Sequence, residues 1–400
     1  MKILLINDSY EGIGGEKVYI NSLSRELKNL GHKVFKLYLS EEHHIENKDP
    51  IVLNNKFQNK LQWFFSQNLI NLKLYYKIRN YILKVEPDII HLNNINKASK
   101  TILLACIGYK KIMTVHDFGF LCPLCNYKNK NYYFVCDGKH SRSFKCFKNS
   151  DFKLQTYLVD FLLFNDILIK KLLIKFFICP SKELYKSLIN AGFTNAIYLP
   201  YFTNFKPKMI TKKSDTILYV GRLHAQKGVK YLLKVLRLVL DKNKKIKLSI
   251  VGRGPEEENL RYLAKKLKIE KNIKFLGEIN NNKISKYFKY SFCLASPSLW
   301  KETGPIVVYE AMSFGKPIIV SDNAGVKDHI IDGQNGFLVN RFDFNKIAEK
   351  IILLHTNKTL ARKMGEINLK IVKDKLGPKS HIKKILKIYN TIIQNKKLYL

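Results

Sequence analysis

The sequence predicts an α/β protein made of two doubly wound, Rossmann-like domains, and three observations carry that prediction. Short apolar runs alternate with amphipathic helical stretches along nearly the whole chain, the pattern of parallel sheets covered by helices. The alternation occurs twice, once on each side of a polar stretch at 200–215 that contains Pro207 and reads as a linker. A length of 400 residues suits two domains, each large enough to bury a core. The expected division is 1–205, 206–379 and a closing helical segment at 380–400.

In the first domain, Lys2–Asn7 is an apolar run that reads as a buried strand. The loop EGIGGEK leads into a helix over 16–30, with Val18, Leu23, Leu27 and Leu30 on one face and Gly31 as its stop. A strand follows at 33–39. A glycine-rich loop between strand and helix lets the backbone approach a phosphate or sugar closely. Gly12, Gly14 and Gly15 fit a dinucleotide fingerprint poorly, although Glu41 stands near where a ribose-binding acid would fall. Residues 57–85 read as helical with Trp63, Phe64 and Phe65 among them, a stripe that serves either as core or as an interfacial face.

Strands are expected at 89–92 and 111–115 with a short helix at 98–109 between them, and the second ends on His116 and Asp117. A polar pair at the carboxyl end of a parallel strand points into the ligand crevice. Cys122, Cys125, Cys136 and Cys146 then gather four of the seven cysteines in the spacing C-x2-C-x10-C-x9-C. They can ligate a structural zinc or stand as free thiols. Residues 151–175 carry leucines on one side and lysines on another, suited to core or to membrane contact. A strand at 176–179, a helix capped by Ser181 and stopped by Gly192, and a strand at 196–199 complete the domain.

Charge is the compositional outlier. Seventy Lys and Arg against 32 Asp and Glu give a net charge of +38, spread along the chain. The excess either decorates solvated faces or draws the protein to anionic surfaces such as lipid headgroups and pyrophosphate-linked acceptors. No basic arm, aromatic-glycine RNA motif or zinc-finger spacing is present, which argues against nucleic acid. The opening MKILLIND is too short for a signal peptide, and no run of about 18 uncharged apolar residues occurs. The expected location is the cytoplasm, peripheral on the inner face of the cell membrane if the basic surface is used.

The second domain opens with a strand at 216–220, then GRLHAQKG and a helix to residue 240. Arg222 and Lys227 flank a loop at a strand end. There they can neutralise a diphosphate, the guanidinium as a planar fork and the ammonium as a point charge, or be merely solvated. A strand at 247–251 precedes GRGPEEE, where Pro255 opens a helix, and a further short strand falls at 273–275. The stretch SFCLASPSLWKETGPIVVYEAMSFGKPIIVS then supplies a strand at 292–295, a loop with Glu302, and a helix from Gly304-Pro305 to Gly315. A strand at 317–320 ends it. Pro305 is tolerated in a first helical turn because it has no N–H to leave unpaired. The free N–H groups there favour an anion. Of the two acids, Glu302 and Glu310, one can face the reactive end of a ligand while the other holds hydroxyls further away. Helices at 344–355, 360–375 and 380–396 close the chain, the last with Ser380 as its cap.

ETGPIVVYEAMSFGKPIIVS resembles the E-x7-E signature of the retaining GT-B glycosyltransferases of family 4, the glycosyl transferases group 1. GRLHAQKG resembles the family's G-R-L-x-x-x-K-G donor-phosphate motif, KIMTVHDFGFLCP its T-x-H-D segment, and Gly14-Gly15 its GG loop between donor and acceptor. GVKDHIIDGQNGFLV is similar to the segment that follows in the family. The resemblance is strong at 218–339, good at 1–34 and 88–118, and weak at 45–85 and 119–175.

The resemblance implies the GT-B fold, two domains facing across a cleft with the closing helix crossing back to the first. It implies Arg222, Lys227 and the helix start at Gly304 and Pro305 on the donor diphosphate, Glu310 on the ribose and Gly254 near the base. Glu302 would meet the donor hexose, His116 would face the donor sugar, and Asp117 would orient the loop or the imidazole ring. The implied reaction is retaining transfer of a hexose from a UDP- or GDP-sugar to a hydroxyl of a glycan or polyprenyl-pyrophosphate-linked acceptor. Surface polysaccharide or lipopolysaccharide biosynthesis would be its setting, with no cofactor or divalent metal required. The cysteine-bearing insert at about 118–150 would be an acceptor-side flap. Three readings compete: nucleotide-sugar epimerisation, phosphorolysis, and a non-catalytic basic protein that binds membrane or nucleic acid on the same fold.

Overall fold

The structure is a computed structural model. It describes residues 1–7, 14–40, 51–54, 70–95, 98–121, 128–129, 132–133, 167–210, 214–322 and 325–395. Two compact units emerge: Met1–Leu199 with Ile382–Leu400, and Pro200–His381. The polar stretch after Leu199 therefore belongs to the second unit from its first residue. Gly12, Glu41, Trp63, Phe64, Phe65, the four clustered cysteines and the stretch 151–166 lie outside the described residues.

The first unit holds β1 (Lys2–Asn7), α1 (Gly15–Asn29), β2 (Lys33–Ser40), β3 (Ile51–Asn54), α2 (Leu72–Val85), β4 (Ile89–Leu92), α3 (Ser99–Ala105) and β5 (Lys111–Thr114). A small antiparallel pair, β6 (Lys128–Asn129) and β7 (Tyr132–Tyr133), precedes β8 (Phe177–Cys179), α4 (Lys182–Asn190) and β9 (Ala196–Tyr198). The main sheet runs β3-β2-β1-β4-β5-β8-β9 with every neighbour parallel. Alternate strand residues Leu4, Ile6, Ile90, Leu92, Met113 and Phe177 pack with Ile78, Ile82, Ile102 and Leu188 from the helices. Ile3 and Leu5, between them in register, are buried too, as strands covered on both faces require. Local signals set the helix ends. Asn71 Oδ1 accepts from Leu74 N–H at 3.0 Å, and Ser181 Oγ accepts from Leu184 N–H at 3.2 Å.

The second unit repeats the plan with β10 (Thr216–Val220), α5 (Val229–Lys242), β11 (Lys247–Val251), α6 (Glu257–Lys266), β12 (Ile273–Phe275) and α7 (Asn281–Lys289). It continues with β13 (Cys293–Ser296), α8 (Ile306–Ser313), β14 (Ile318–Ser321), β15 (Gly336–Val339), α9 (Phe344–Thr356) and α10 (Lys358–Ile371). Its parallel sheet runs β12-β11-β10-β13-β14-β15. Seven residues of α5, among them Leu232, Leu233, Leu236 and Val239, are buried, a gross gain of roughly 10–20 kcal/mol before chain entropy opposes it. The strand order reverses between β10 and β13, so a crevice opens there at the carboxyl ends.

The helix predicted at 360–375 ends its regular bonding at Ile371 and passes into a π turn, Val372–Leu376. The last helix, α11 (Pro378–Ile393), corrects the expectation that Ser380 is a cap. Proline, with no N–H to lose, starts it two residues earlier, and Ser380 lies inside the first turn. From Ile382 this helix belongs to the first unit, burying Ile385, Ile388, Tyr389 and Ile392. Tyr389 Oη meets His91 Nδ1 at 2.7 Å, and Lys110 Nζ donates to the Ile393 carbonyl. Among the described residues no helix is long and apolar enough to cross a membrane.

Candidate functional site

The loops that leave β10 and β13 are drawn together by glycines. Gly228 has φ of 71°, and a Cβ on it would stand 2.0 Å from the Pro297 carbonyl oxygen. Only glycine fits both the left-handed backbone and that close approach. The Gln226 carbonyl then accepts from Leu299 and Trp300 N–H at 2.8 and 3.3 Å. The β11 loop is laced to the first in the same way: Leu223 N–H donates to the Arg253 carbonyl at 2.9 Å, and Glu256 N–H donates to the Leu223 carbonyl at 3.0 Å. A Cβ on Gly254 would lie 2.4 Å from the Leu223 oxygen. Gly254 therefore lets the two backbones meet.

This loop packing puts Lys227 Nζ 2.5 Å from Glu302 Oε1, although the two are 75 residues apart in sequence. Ser298 Oγ donates to the same oxygen at 2.9 Å. Both charged side chains keep some solvent contact, 27% for Lys227 and 13% for Glu302. Buried Tyr219 donates its hydroxyl to the Arg222 carbonyl at 3.1 Å and so shapes the turn. The Arg222 side chain is exposed and has no hydrogen bond or ion pair among the described residues.

Gly304 has φ of 152° and sits against Tyr201 and Tyr309. Gly325 N–H donates to the Glu302 carbonyl at 2.6 Å and pins the loop from behind. Pro305, expected inside the first turn, stands one residue before α8 with ψ of 109°. Val308 N–H turns back to the Pro305 carbonyl at 2.9 Å, while the N–H groups of Ile306 and Val307 before it have no acceptor within the helix. Glu310 lies on the same helix. Its outer surface is only partly covered, yet protein surrounds it closely enough that burial pushes its carboxyl up to about 7. No hydrogen-bond partner for it is found among the described residues.

In the first unit, His116 follows β5 and is buried, with Nε2 3.1 Å from Asn93 Oδ1. The Asn93 amide donates to the Ile6 and His91 carbonyls, so its oxygen accepts and Nε2 carries the proton. Burial pushes the imidazole down to about 3, which keeps it neutral. Tyr19 stands edge-on to the ring at 5.6 Å. Asp117 accepts from the backbone N–H of Gly119 and Phe120 and from Asn94, which fixes its loop; burial nonetheless raises its carboxyl above the usual range. Asn94 also donates its side-chain amide to Glu16 Oε2 at 3.2 Å and its backbone N–H to Asn7 Oδ1 at 3.0 Å, tying β1, the end of β4 and α1 together. Gly14 is extended, with nothing within 4 Å of a Cβ placed on it, so the described surroundings make no steric demand for glycine there. Gly15 is the first residue of α1.

The structure thus brings Arg222, Lys227, Glu302, Gly304, Pro305, Glu310 and Gly254 to the switch point of one unit, and in the other it puts Gly14 and Gly15 at the start of α1 and His116 just past the end of β5. Sequence reasoning missed Ser298, Tyr219, Asn93 and Tyr19. Ser298 had a signal, being a polar residue just past a buried strand. Asn93, just past buried β4, carried the same signal, and Tyr219 reaches only three residues along to the Arg222 carbonyl, whereas Tyr19 meets His116 through a contact between distant segments. Among the described residues no three His, Cys, Asp or Glu side chains converge as a metal site would require, and the four clustered cysteines lie outside them.

Comparison with known proteins finds two family models that together span most of the chain. The model for glycosyl transferases group 1 matches residues 201–370, and that for Glycosyltransferase Family 4 matches 13–198. An uncharacterized glycosyltransferase of Haemophilus influenzae is 38% identical over 164 residues, 40% of this chain and 45% of its own length. A phosphatidyl-myo-inositol mannosyltransferase of Mycobacterium leprae is 32% identical over 36% of this chain and 38% of its own length. The chain therefore spans less than half the length of these curated relatives. Among solved structures, Anabaena HepE in complex with UDP-glucose superposes with a TM-score of 0.74 at 17% identity, covering 98% of this chain and 100% of that one.

Proposed function

Because the chain belongs to the group 1 glycosyltransferases of the GT-B fold, we propose that it moves a hexose from a nucleoside diphosphate sugar to a hydroxyl of a glycan or lipid-linked acceptor, with retention at the anomeric carbon. One observation carries the reading: Lys227, Glu302, the exposed Arg222 and the start of α8 meet at the switch point of a doubly wound sheet. In the reaction the bond from the anomeric carbon to the β-phosphate oxygen breaks, a bond to the acceptor oxygen forms, and the acceptor's proton is released. Arg222, Lys227 and the α8 N–H groups stabilise the negative charge gathering on the leaving diphosphate, electrostatics fixed in advance by the fold. With that supply of positive charge the reaction requires no divalent metal and no cofactor beyond the donor. Glu302 holds the hexose, Glu310 the ribose hydroxyls, and neutral His116 a sugar hydroxyl.

One relative is named for a phosphatidyl-myo-inositol substrate, which fits a lipid-linked acceptor, and a structural neighbour holds UDP-glucose, which fits the nucleotide-sugar donor. A peripheral place on an anionic membrane fits the same reading. Leu72, Tyr76 and Leu83 are exposed on one face of α2, with Lys73, Lys77 and Lys84 beside them. Flotation with anionic vesicles at low salt tests that part, and no binding would remove it. A thermal-shift panel of UDP- and GDP-sugars tests the donor site. The expected result is a rise in Tm with one of them that Arg222→Ala and Lys227→Ala lose; no shift with any in the folded protein would turn the reading to a binding protein.

A further inference from the structure

We propose that the contact between Lys227 and Glu302, braced by Ser298, makes the donor site select a sugar-bearing nucleotide over the sugar-free nucleoside diphosphate and so expels the product after transfer. The inference rests on the proposed donor site and goes beyond it. Lys227 Nζ is committed to Glu302 Oε1 at 2.5 Å, and Ser298 holds that same oxygen at 2.9 Å. A diphosphate can engage Lys227 only by taking the ammonium from the carboxylate. A bare nucleoside diphosphate then leaves Glu302 without its cation, in a half-buried loop, beside added negative charge. A nucleotide sugar makes the same exchange but brings hydroxyl donors that replace the ammonium at the carboxylate. The exchange is balanced for the substrate and unbalanced for the product.

The geometry around the pair favours an exchange over a collapse. Ser298 is four residues before Glu302 on the loop after β13, and its hydroxyl keeps the carboxylate in place when the ammonium leaves. Lys227 is set by the turn that ends at Gly228, where the Pro297 carbonyl leaves no room for a side chain. Neither loop has to move for Nζ to swing from one anion to the other. Arg222 has no such competitor among the described residues, so its contribution does not distinguish the two ligands. Ser298 is a positioning residue on this account, and Glu302 determines specificity as well as holding the sugar.

The test is calorimetric titration of UDP, GDP, UDP-glucose and GDP-mannose into the wild type, Glu302→Gln, Ser298→Ala and Arg222→Ala, each checked by thermal melt. Glu302→Gln releases Lys227 and is expected to bind the sugar-free diphosphate roughly tenfold tighter, the size of one well-placed charge contact. Its affinity for the nucleotide sugar falls or stays level, so the ratio between the two ligands collapses. Ser298→Ala, a milder change, shifts the ratio in the same direction by roughly two- to threefold. Unchanged or weaker diphosphate binding in a folded Glu302→Gln, with Arg222→Ala still losing affinity for both ligands, overturns the inference and leaves the donor site standing. Wild type that binds none of the four probes, or binds them regardless of Arg222, overturns the donor site and the inference with it.

Discussion

Replacing Glu310 with Gln should stabilise the protein while weakening its hold on the donor. Burial lifts the Glu310 carboxyl from 4.5 to about 7, so the folded state favours the protonated acid. Below pH 4.5 the group is neutral in both states and contributes nothing. Between pH 4.5 and 7 the unfolded chain ionises first, stability falls as pH rises, and above about 7 the penalty is constant. At 1.36 kcal/mol for each tenfold step the full rise corresponds to about 3 kcal/mol. Glu310 keeps part of its surface open, and a glutamine there is desolvated too, so the gain expected at pH 8 is about 1–3 kcal/mol. Denaturant unfolding of wild type and Glu310→Gln at pH 4.5, 6 and 8 reads this directly. The two should coincide at the lowest pH and separate at the highest. Donor affinity should move the other way, strengthening in the wild type as pH passes 7 and the carboxylate ionises, and losing that dependence in the variant. A variant no more stable than wild type at pH 8, with the same slope against pH, would refute the reasoning.

Three further outcomes follow from the geometry. Gly228→Ala forces a Cβ to within 2.0 Å of the Pro297 oxygen at φ of 71°, so it should cost more than about 2 kcal/mol of stability and loosen the Lys227–Glu302 contact; unfolding and donor titration measure both. Tyr389→Phe leaves buried His91 Nδ1 without the hydroxyl it now meets at 2.7 Å, a loss of about 1–3 kcal/mol, and amide exchange in α11 should speed up. His116 has its imidazole pushed down to about 3, so it does not titrate in the folded protein between pH 5 and 8. Its contribution to stability is present above pH 6.5 and is lost as pH falls toward 3, because the unfolded histidine takes up a proton that the buried one refuses. Unfolding of His116→Gln should therefore depend less on pH over that range than unfolding of the wild type.

What was legible in the sequence was whatever is written within one loop and its flanking elements. GRLHAQKG and ETGPIVVYE each lie between a buried strand and a helix, so position and role could be read together, and both sit at the switch point. Ser181 and Gly192 bounded α4 as expected, because caps act over three or four residues. Pro305 and Ser380 were misplaced for related reasons. A proline satisfies its φ equally well just outside a helix, and Pro378 opened α11 ahead of the serine. The four-residue strand β3 went unnoticed although Asp49-Pro50 precedes it, because three apolar residues in a row are too few to show a period. Contacts between distant segments were out of reach. Nothing near Lys227 announces Glu302, 75 residues away, and nothing near His91 announces Tyr389, 298 residues away. Gly14 shows the opposite case: its residue type suggested a close backbone approach, and the structure puts no described atom within 4 Å of the position a Cβ would take.

The central claim is that this site breaks the bond between a hexose and a nucleoside diphosphate. Release of nucleoside diphosphate from each of a panel of nucleotide sugars, with and without an extracted lipid-linked glycan acceptor, measures it most directly. The account predicts that one nucleotide sugar turns over, that acceptor accelerates it, and that Arg222→Ala, Lys227→Ala and Glu302→Gln each slow it at least roughly tenfold while still folding. Turnover that is indifferent to Arg222, Lys227 and Glu302 would contradict it.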